Sequence, residues 1–222
     1  MDFIKKLQNK YDIVLASSSP RRKQLLASIG LNFQIIEPCI DEKSFCSNVL
    51  PQNYCQHLSF VKATNVFKYI ENTRTTDIAN ATNAFDYIKN LIAKKRYIII
   101  SADTVVAIDN AIMNKPKDND EAIIFLKKLS NNKHKVFTGV SVLDTDNGKI
   151  NTRYAATDVY FRKLDDKEII EYVNTGSPLD KAGGYGIQDD YGALFVRKID
   201  GCYNNVVGLP IELLYEMLVR KI

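Results

Sequence analysis

The amino-acid sequence predicts an α/β protein whose mixed, twisted and elongated sheet is flanked by helices. Two observations lead to this prediction. A strand is followed at once by a helix near the N-terminus, which is typical of crossovers between parallel strands, and two long strands flank Asp146-Asn147-Gly148, a strong hairpin signal. At 222 residues, 45% of them apolar, the chain can bury a substantial core, and we expect residues 1–222 to form one domain.

The elements of the first half follow from apolar periodicity and from helix start and stop signals. A polar stretch of weak periodicity, about 71–96, is interpreted as an insertion rather than a domain. In order, the elements are a strand over 12–16, a helix from Pro20 to about Gly30, an extended segment over 32–38, a helix over about 52–70 and a possible helix over 84–93 inside the insertion.

The second half begins with a β-rich run and ends with a helix that a proline opens. Its hairpin contributes antiparallel strands, so the sheet as a whole is expected to be mixed. In order, the elements are a strand over 97–108 with a turn at Asp109-Asn110, a helix over 120–129, strands over 134–145 and 151–162, a helix over 166–174, a strand over 193–199 and a final helix from Pro210.

Composition and charge argue against several classes of protein. A net charge of +4 permits an anionic ligand, but nucleic-acid binders usually carry a concentrated basic face. No stretch approaches the roughly 20 apolar residues of a transmembrane helix, and the N-terminus lacks a signal-peptide core. The four cysteines show no metal-binding spacing and are expected to be reduced thiols. We therefore expect a cytoplasmic protein that binds neither nucleic acid nor membranes, with an organelle address left open.

The segment SSSPRR at 17–22 is the first candidate site. The N-terminus of a helix offers unpaired N–H groups and a partial positive charge, and so attracts phosphate. Serine hydroxyls add donors, and Arg21 and Arg22 can pair with phosphate oxygens in bidentate fashion. The alternative is a capped helix with two solvent-facing arginines. The segment alone does not decide between the two.

Asp103 is the main catalytic candidate. It follows four apolar β residues, and a carboxylate in a buried strand is costly unless it meets a metal, a cation or hydrogen-bond donors. It could bind Mg²⁺, activate a water or merely cap a turn through Thr104. Lys62 and Lys115 are weaker candidates, because a lone lysine usually lies on the surface. Glu42, in an acidic pair after a strand, could join a metal site or end a loop.

A glycine-rich segment at 176–188 is the third candidate site. Four glycines in eleven residues permit close approach of the backbone to a ligand. Asp180 and Lys181 supply opposite charges there, and Gln188 could read the edge of a base. A purely structural glycine loop is the alternative, but the embedded polar residues favour a ligand-binding loop.

Taken together and in order, these segments resemble the Maf family of nucleoside triphosphate pyrophosphatases. The resemblance implies an elongated α/β fold with two lobes around a cleft, similar to the inosine triphosphate pyrophosphatases. It also implies hydrolysis between the α- and β-phosphates with Mg²⁺ or Mn²⁺, and a homodimer is plausible on the same ground. The matching pieces, from about 13 to 214, are LASSSPRRKQLL, Asp41-Glu42, Lys62, SADTVV, NKP, FTGVSV, GSPLDKAGGYGIQ and NNVVGLP.

The same resemblance implies a role for each candidate residue. Asp103 would be the catalytic carboxylate, as a general base, a metal ligand or both, and Glu42 would assist the metal. Lys62 and Lys115 would neutralise the charge of the triphosphate. The residues that would bind phosphate are Ser17, Ser19, Arg21 and Arg22, and those that would sit beside the nucleotide are Lys181 and Gln188.

The segment DKAGGYGIQ determines the expected substrate. It resembles the branch of the family that acts on dTTP, UTP and modified pyrimidine triphosphates, whereas the 7-methyl-GTP branch typically has a Lys-Ser-Glu-containing segment here. Gly184, Asp189 and Cys202 stand where Ala, Gly and Ser are more common, and Asp189 bears on loop geometry and so on substrate ranking. The alternatives are a broader pyrophosphatase for noncanonical nucleotides and a nucleotide-sensing regulator of cell division. The catalytic carboxylate argues against a sensor, which does not need it.

Overall fold

The computed structural model describes residues 2–41, 49–79, 96–188 and 190–219. Its strands are β1 (Asp12–Leu15), β2 (Gln34–Ile35), β3 (Tyr97–Ile108), β4 (Ala111–Met113), β5 (Lys133–Asp144), β6 (Lys149–Phe161) and β7 (Val196–Asp200). Its helices are α1 (Asp2–Lys10), α2 (Pro20–Ser28), α3 (Pro51–Ala79), α4 (Asn119–Leu129), α5 (Asp166–Asn174), α6 (Asp190–Phe195), α7 (Tyr203–Val207) and α8 (Ile211–Val219), with short 3₁₀ turns at Ser177–Asp180 and Ala182–Gly184. In these ranges, no helix is long and apolar enough to cross a membrane.

The predicted fold class is confirmed, because the strands form one mixed sheet flanked by helices. Its order is β2-β1-β3-β5-β6-β7, and β4 pairs with β3. β1 runs parallel to β2 and β3, whereas β3, β5, β6 and β7 are successively antiparallel. The predicted hairpin is the one that joins β5 to β6.

Two element boundaries and two whole helices differ from the sequence-based expectation. Helix α3 continues through Ala79, so the first part of the expected 71–96 insertion is helical, while the possible helix over 84–93 lies outside the described residues. The predicted strand over 193–199 was wrong at its start, because α6 occupies those positions until Val196 begins β7. This helix packs tightly on the glycine-rich segment, because a Cβ on Gly192 would lie 2.0 Å from the carbonyl oxygen of Gly186. Helices α1 and α7 were not predicted.

Strand β3 joins two parts of the hydrophobic core. On one face, Ile98 and Ile100 pack with α1, α2 and α8, and Val106 packs with α4 and α5. On the other face, Ile99 and Val105 pack against α3. Because successive side chains of a strand point to opposite faces, the middle of β3 presents one residue to α3 and the next to α2.

The same strand has an uncovered edge. On the edge of β3 that faces away from β5, β1 pairs with residues 97–100 and β4 pairs with residues 106–108. Between them, in the part of the chain that the structure describes, residues 101–105 have no strand on that edge. A ligand can therefore approach the middle of β3 from the side.

Candidate active site

A cleft of about 550 Å³ opens beside this uncovered stretch of β3. Its wall comes from β3, α3, the start of α2, the glycine-rich segment and the residues that end α7. Ser17 lies buried behind the wall, and Glu42 lies outside the described residues. The other eight residues named from the sequence line the cleft: Ser19, Arg21, Arg22, Lys62, Asp103, Lys115, Lys181 and Gln188.

The buried carboxylate of the cleft is paired with a lysine. Nζ of Lys62 lies 2.6 Å from Oδ1 of Asp103, and the two side chains are only 8% and 10% exposed. Alternation along β3 places the side chain of Asp103 on the same face as Ile99 and Val105, which is the face that packs against α3. The sequence-based expectation that a buried Asp103 meets a cation is met by Lys62.

Close packing of α3 on the sheet brings this pair together. Gly139 of β5 lies directly opposite Asp103, and a Cβ there would be 2.3 Å from the carbonyl oxygen of Cys55 in α3. The same contact buries the thiol of Cys55. Burial, together with the nearby charge of Asp103, raises the pKa of Cys55 to about 12. The thiol is therefore protonated at neutral pH and is not a nucleophile.

Arg22 is anchored by hydrogen bonds in three directions. Its Nε donates to the carbonyl oxygen of Gly208 (2.9 Å), Nη2 to Oγ1 of Thr104 (3.1 Å) and Nη1 to Oγ of Ser17 (3.3 Å). Oγ of Ser17 also accepts from the backbone N–H of Ser19, 3.2 Å away. Ser17 therefore binds the start of α2 and Arg22 from the buried side. Arg22 does not face the solvent, so the alternative of a capped helix with solvent-facing arginines is wrong for this residue.

Arg21 reaches across the mouth of the cleft to the glycine-rich segment. Its Nη1 lies 3.3 Å from Oδ2 of Asp180, whose Oδ1 accepts from Nζ of Lys181 at 2.6 Å. Burial acts to raise the pKa of Asp180, but the hydrogen bond and charge of Lys181, with the charge of Arg21, outweigh it and lower the pKa. Nζ of Lys181 also donates to the carbonyl oxygen of Ser177, so its position is set by its own loop.

The glycine-rich segment is fixed to the sheet on its inner side. Gly183 has φ +68° and lies so close to Val106 that a Cβ would contact its side chain at 2.9 Å. Further along, the hydroxyl of Tyr185 lies 2.7 Å from Nε2 of the buried His134. Burial lowers the pKa of His134 to about 4, so the imidazole is neutral at pH 7. The segment that precedes Gln188 is thus held against the sheet at Gly183 and Tyr185.

The cleft carries an excess of positive charge. Asp103 and Asp180 are the carboxylates among its described lining residues, which also include two arginines and three lysines. Such an arrangement attracts an anion with several charges. Cleft residues that were not singled out as binding residues from the sequence include Tyr54, Thr104, Asn114 and Tyr185. Thr104 and Asn114 each adjoin a candidate residue and Tyr185 lies within the glycine-rich segment, whereas Tyr54 adjoins none; nothing in the sequence shows that these residues line a cleft.

Comparison with known proteins identifies the family. The family model described as Maf-like protein matches residues 12–221. The chain belongs to the Maf family. The dTTP/UTP pyrophosphatase of Thermoanaerobacter sp. (strain X514) is 42% identical over 209 residues, which cover 94% of this chain and 96% of that protein. The dTTP/UTP pyrophosphatase of Acetivibrio thermocellus is 44% identical over 206 residues, 93% of each chain, and that of Clostridium tetani is 40% identical over 207 residues.

Proposed function

We propose that this Maf protein is a nucleoside triphosphate pyrophosphatase that hydrolyses dTTP, UTP or modified pyrimidine triphosphates to the monophosphate and pyrophosphate. The observation that carries the proposal is a cleft in which cationic side chains surround a buried carboxylate on an open strand edge. Relatives that share 40–44% identity with most of the chain are named dTTP/UTP pyrophosphatases, which supports the same reaction and substrates.

The cations would bind and neutralise the triphosphate. Phosphoryl transfer needs little covalent help from a protein and depends mainly on positioning and on charge neutralisation. Arg22 is held in one orientation by its three hydrogen bonds, which suits a fixed contact with phosphate oxygens. Lys115 is exposed at the cleft and suits an adjustable contact. Arg21 can exchange Asp180 for a phosphate oxygen.

Asp103 is the proposed catalytic carboxylate. Its Oδ1 accepts the hydrogen bond from Lys62, and the residue lines the cleft beside the uncovered edge of β3. There it can accept a proton from the attacking water, bind a metal ion or do both. Lys62 contributes a positive charge at the same point, where negative charge accumulates on the phosphate being attacked.

The residues of the cleft are compatible with Mg²⁺ or Mn²⁺. Among the described residues, no group of three His, Cys, Asp or Glu side chains could hold a metal by itself. Mg²⁺ is commonly bound through one or two carboxylates together with substrate phosphates, and Asp103 provides one such carboxylate. Glu42 stays a sequence-based proposal for a second. When bound, the metal would supply further charge neutralisation at the triphosphate.

The glycine-rich segment is the proposed site of base recognition. Gln188 is exposed at the cleft and offers both a donor and an acceptor to the edge of a base. Lys181 lies at the other end of the same loop, where its ion pair with Asp180 adjoins Arg21. The phosphates would thus lie near α2 and the base near Gln188.

A panel of nucleoside triphosphates tests the proposal. With Mg²⁺ or Mn²⁺, we expect release of pyrophosphate and monophosphate from dTTP and UTP, at higher rates than from ITP or 7-methyl-GTP. If no triphosphate is hydrolysed, the enzyme proposal fails and the sensor alternative is favoured. Comparable rates on ITP and dTTP would contradict the preference for pyrimidines and favour the broader noncanonical pyrophosphatase.

One substitution tests the catalytic assignment. Asp103→Asn should lower kcat by at least about a hundredfold, the usual contribution of a positioned acid or base. Asp109→Asn is a matched control, because Asp109 lies on the exposed turn after β3 with φ 50°, a conformation that asparagine accepts. Full activity of Asp103→Asn would show that another group activates the water.

Two further expectations stay predictions. A cytoplasmic location follows from the composition, and a homodimer follows from the family resemblance. Light scattering coupled to size-exclusion chromatography would distinguish a dimer from a chain of 25.2 kDa. A single monomeric species at micromolar concentration would contradict the dimer.

A further inference from the structure

A chain of hydrogen bonds runs inward from Arg22 through the sheet. Nη2 of Arg22 donates to Oγ1 of Thr104, which lies 3.0 Å from Oγ1 of Thr138. Oγ1 of Thr138 donates in turn to the carbonyl oxygen of Asn205 at 2.9 Å. Thr104 and Thr138 are directly opposite each other on β3 and β5, so the chain crosses one strand pair and ends on α7.

The direction of each hydrogen bond follows from counting protons. A threonine hydroxyl has one proton to donate, and a carbonyl oxygen can only accept. The proton of Thr138 is therefore used on Asn205. In the 3.0 Å bond between the two threonines Thr104 is then the donor, so its single proton is not available for its longer 3.5 Å contact with the carbonyl oxygen of Gly208. The oxygen of Thr104 is left as the acceptor that faces the guanidinium of Arg22. All the donors point the same way, from the cleft to α7, and such chains polarise one another.

The far end of the chain is firmly fixed. Asn205 is fully buried, and its Nδ2 donates to the carbonyl oxygen of Val136 (3.0 Å) and to Oγ1 of Thr157 (2.9 Å). Because Val136 offers a carbonyl oxygen, the orientation of the Asn205 amide is determined. These bonds tie α7 to β5 and β6.

The same helix holds Arg22 a second time. Gly208, at the C-terminal end of α7, accepts from Nε of Arg22 at 2.9 Å. Its φ of +124° strongly favours glycine and lets the carbonyl turn towards α2. Arg22 is thus connected to α7 directly through Gly208 and indirectly through the two threonines, although this helix begins 181 positions further along the chain, at Tyr203.

We propose that Thr138 and Asn205 are positioning residues for Arg22. Neither residue lines the cleft. Their role is to fix the acceptor of Thr104, and with it the plane of the guanidinium, so that Arg22 meets phosphate oxygens without reorganising. The inference rests on the proposed function, because it assigns Arg22 to the triphosphate.

Thr138→Val tests the chain, since valine has nearly the same shape as threonine and lacks the hydroxyl. Thr138→Ser keeps the hydroxyl and should rescue the effect. Ser141→Ala is the matched control: Ser141 is a fully buried residue of the same strand, and its hydroxyl pairs with those of Ser59 (3.0 Å) and Thr152 (2.8 Å), away from Arg22.

Two readouts are compared for each protein. The first is binding of inorganic tripolyphosphate, measured by calorimetry without divalent metal, and the second is kcat and KM for dTTP hydrolysis. For Thr138→Val we expect about tenfold weaker tripolyphosphate binding and about a tenfold lower kcat/KM, the size associated with one hydrogen bond to a charged group. Thr138→Ser and Ser141→Ala should stay within about twofold of wild type, because both keep the chain intact.

A double-mutant cycle separates positioning from a general loss of structure. In an Arg22→Lys background, where no guanidinium is present to be oriented, Thr138→Val should cause no further loss of tripolyphosphate binding. An equal loss in both backgrounds would overturn the proposal, and so would equal losses in Thr138→Val and Ser141→Ala. If the Thr138→Val protein does not fold, failure of Thr138→Ser to bind tripolyphosphate within twofold of wild type would likewise overturn it.

Failure of the proposed function gives a different pattern. Wild-type protein that neither binds tripolyphosphate nor hydrolyses any triphosphate would contradict the assignment of the cleft itself. If the wild-type protein binds tripolyphosphate and hydrolyses dTTP, and Thr138→Val matches it in both readouts, only the positioning role is overturned. The proposed function would then still hold.

Discussion

The ion pair between Lys62 and Asp103 predicts that neutralising either partner destabilises the protein more than neutralising both. Their side chains are 8% and 10% exposed and 2.6 Å apart. Removing one partner of a buried pair typically costs about 3–5 kcal/mol, because the other charge is left without compensation. We expect about 3 kcal/mol for Lys62→Met, the lower end of that range, since the pair borders an open cleft.

The double substitution Lys62→Met/Asp103→Asn removes both charges and should recover about 2 kcal/mol of that loss, a coupling typical of side chains in contact. For a protein of this size, 1 kcal/mol changes Tm by about 2–4 °C, so Lys62→Met should lower Tm by about 6–12 °C. Thermal and urea unfolding at pH 7.5 with EDTA would measure both quantities.

An exposed ion pair provides the control for this cycle. Nζ of Lys127 lies 3.1 Å from Oδ1 of Asp166, but these side chains are 50% and 71% exposed. Lys127→Met should change the free energy of unfolding by less than about 1 kcal/mol. A Lys62→Met protein as stable as wild type would contradict this coupling, and so would a double variant that lost the sum of the two single effects.

Two further predictions concern packing and pH. Gly139→Ala should destabilise the protein by about 1–3 kcal/mol and lower Tm, because its Cβ would meet the backbone of Cys55 at 2.3 Å; an unchanged Tm would contradict the close packing of α3. Burial lowers the pKa of His134 from 6.5 to about 4, so the unfolded chain binds the proton first as pH falls. The resulting stability is present above pH 6.5 and declines towards pH 4, with about 2 kcal/mol lost between pH 7 and 5. Urea unfolding of wild type and His134→Phe at both pH values would check this, and equal losses in both proteins would exclude His134 as the cause.

Elements with strong local signals could be predicted from the sequence. Strand β3 and helix α5 match their predicted bounds, and α5 begins with a capping box in which Asp165 and Glu168 bond each other's backbone. Ile4 and Leu7 of helix α1, with Tyr11 just after it, have helical spacing, but a nine-residue helix with this many charges is marginal until those three side chains pack in the core. Helix α6 was mistaken for strand because a short apolar run does not distinguish the two.

The site could be predicted as a set of residues but not as an arrangement. Motif order identified Lys62 and Asp103, yet their contact depends on α3 lying against the sheet at Gly139, which only the fold shows. Similarly, the sequence marked Arg22 as a phosphate ligand. It gave no sign that Thr104 and Gly208 determine where the guanidinium points, because those partners are 82 and 186 residues away.

The alternation of β3 explains how two adjacent residues serve two different parts of the site. Asp103 lies on the face covered by α3, where it forms an ion pair with Lys62. Thr104 lies on the opposite face, where its hydroxyl oxygen accepts a hydrogen bond from Arg22. Both reach the same cleft because this stretch of β3 has no described strand on its outer edge. A shift of β3 by one residue would exchange the two faces: in one direction it would place Asp103 against Arg22 and Ala102 against Lys62, and in the other it would place Val105 against Arg22 and Thr104 against Lys62. The register of β3 against β5 is therefore a condition for the proposed catalysis and not only for stability.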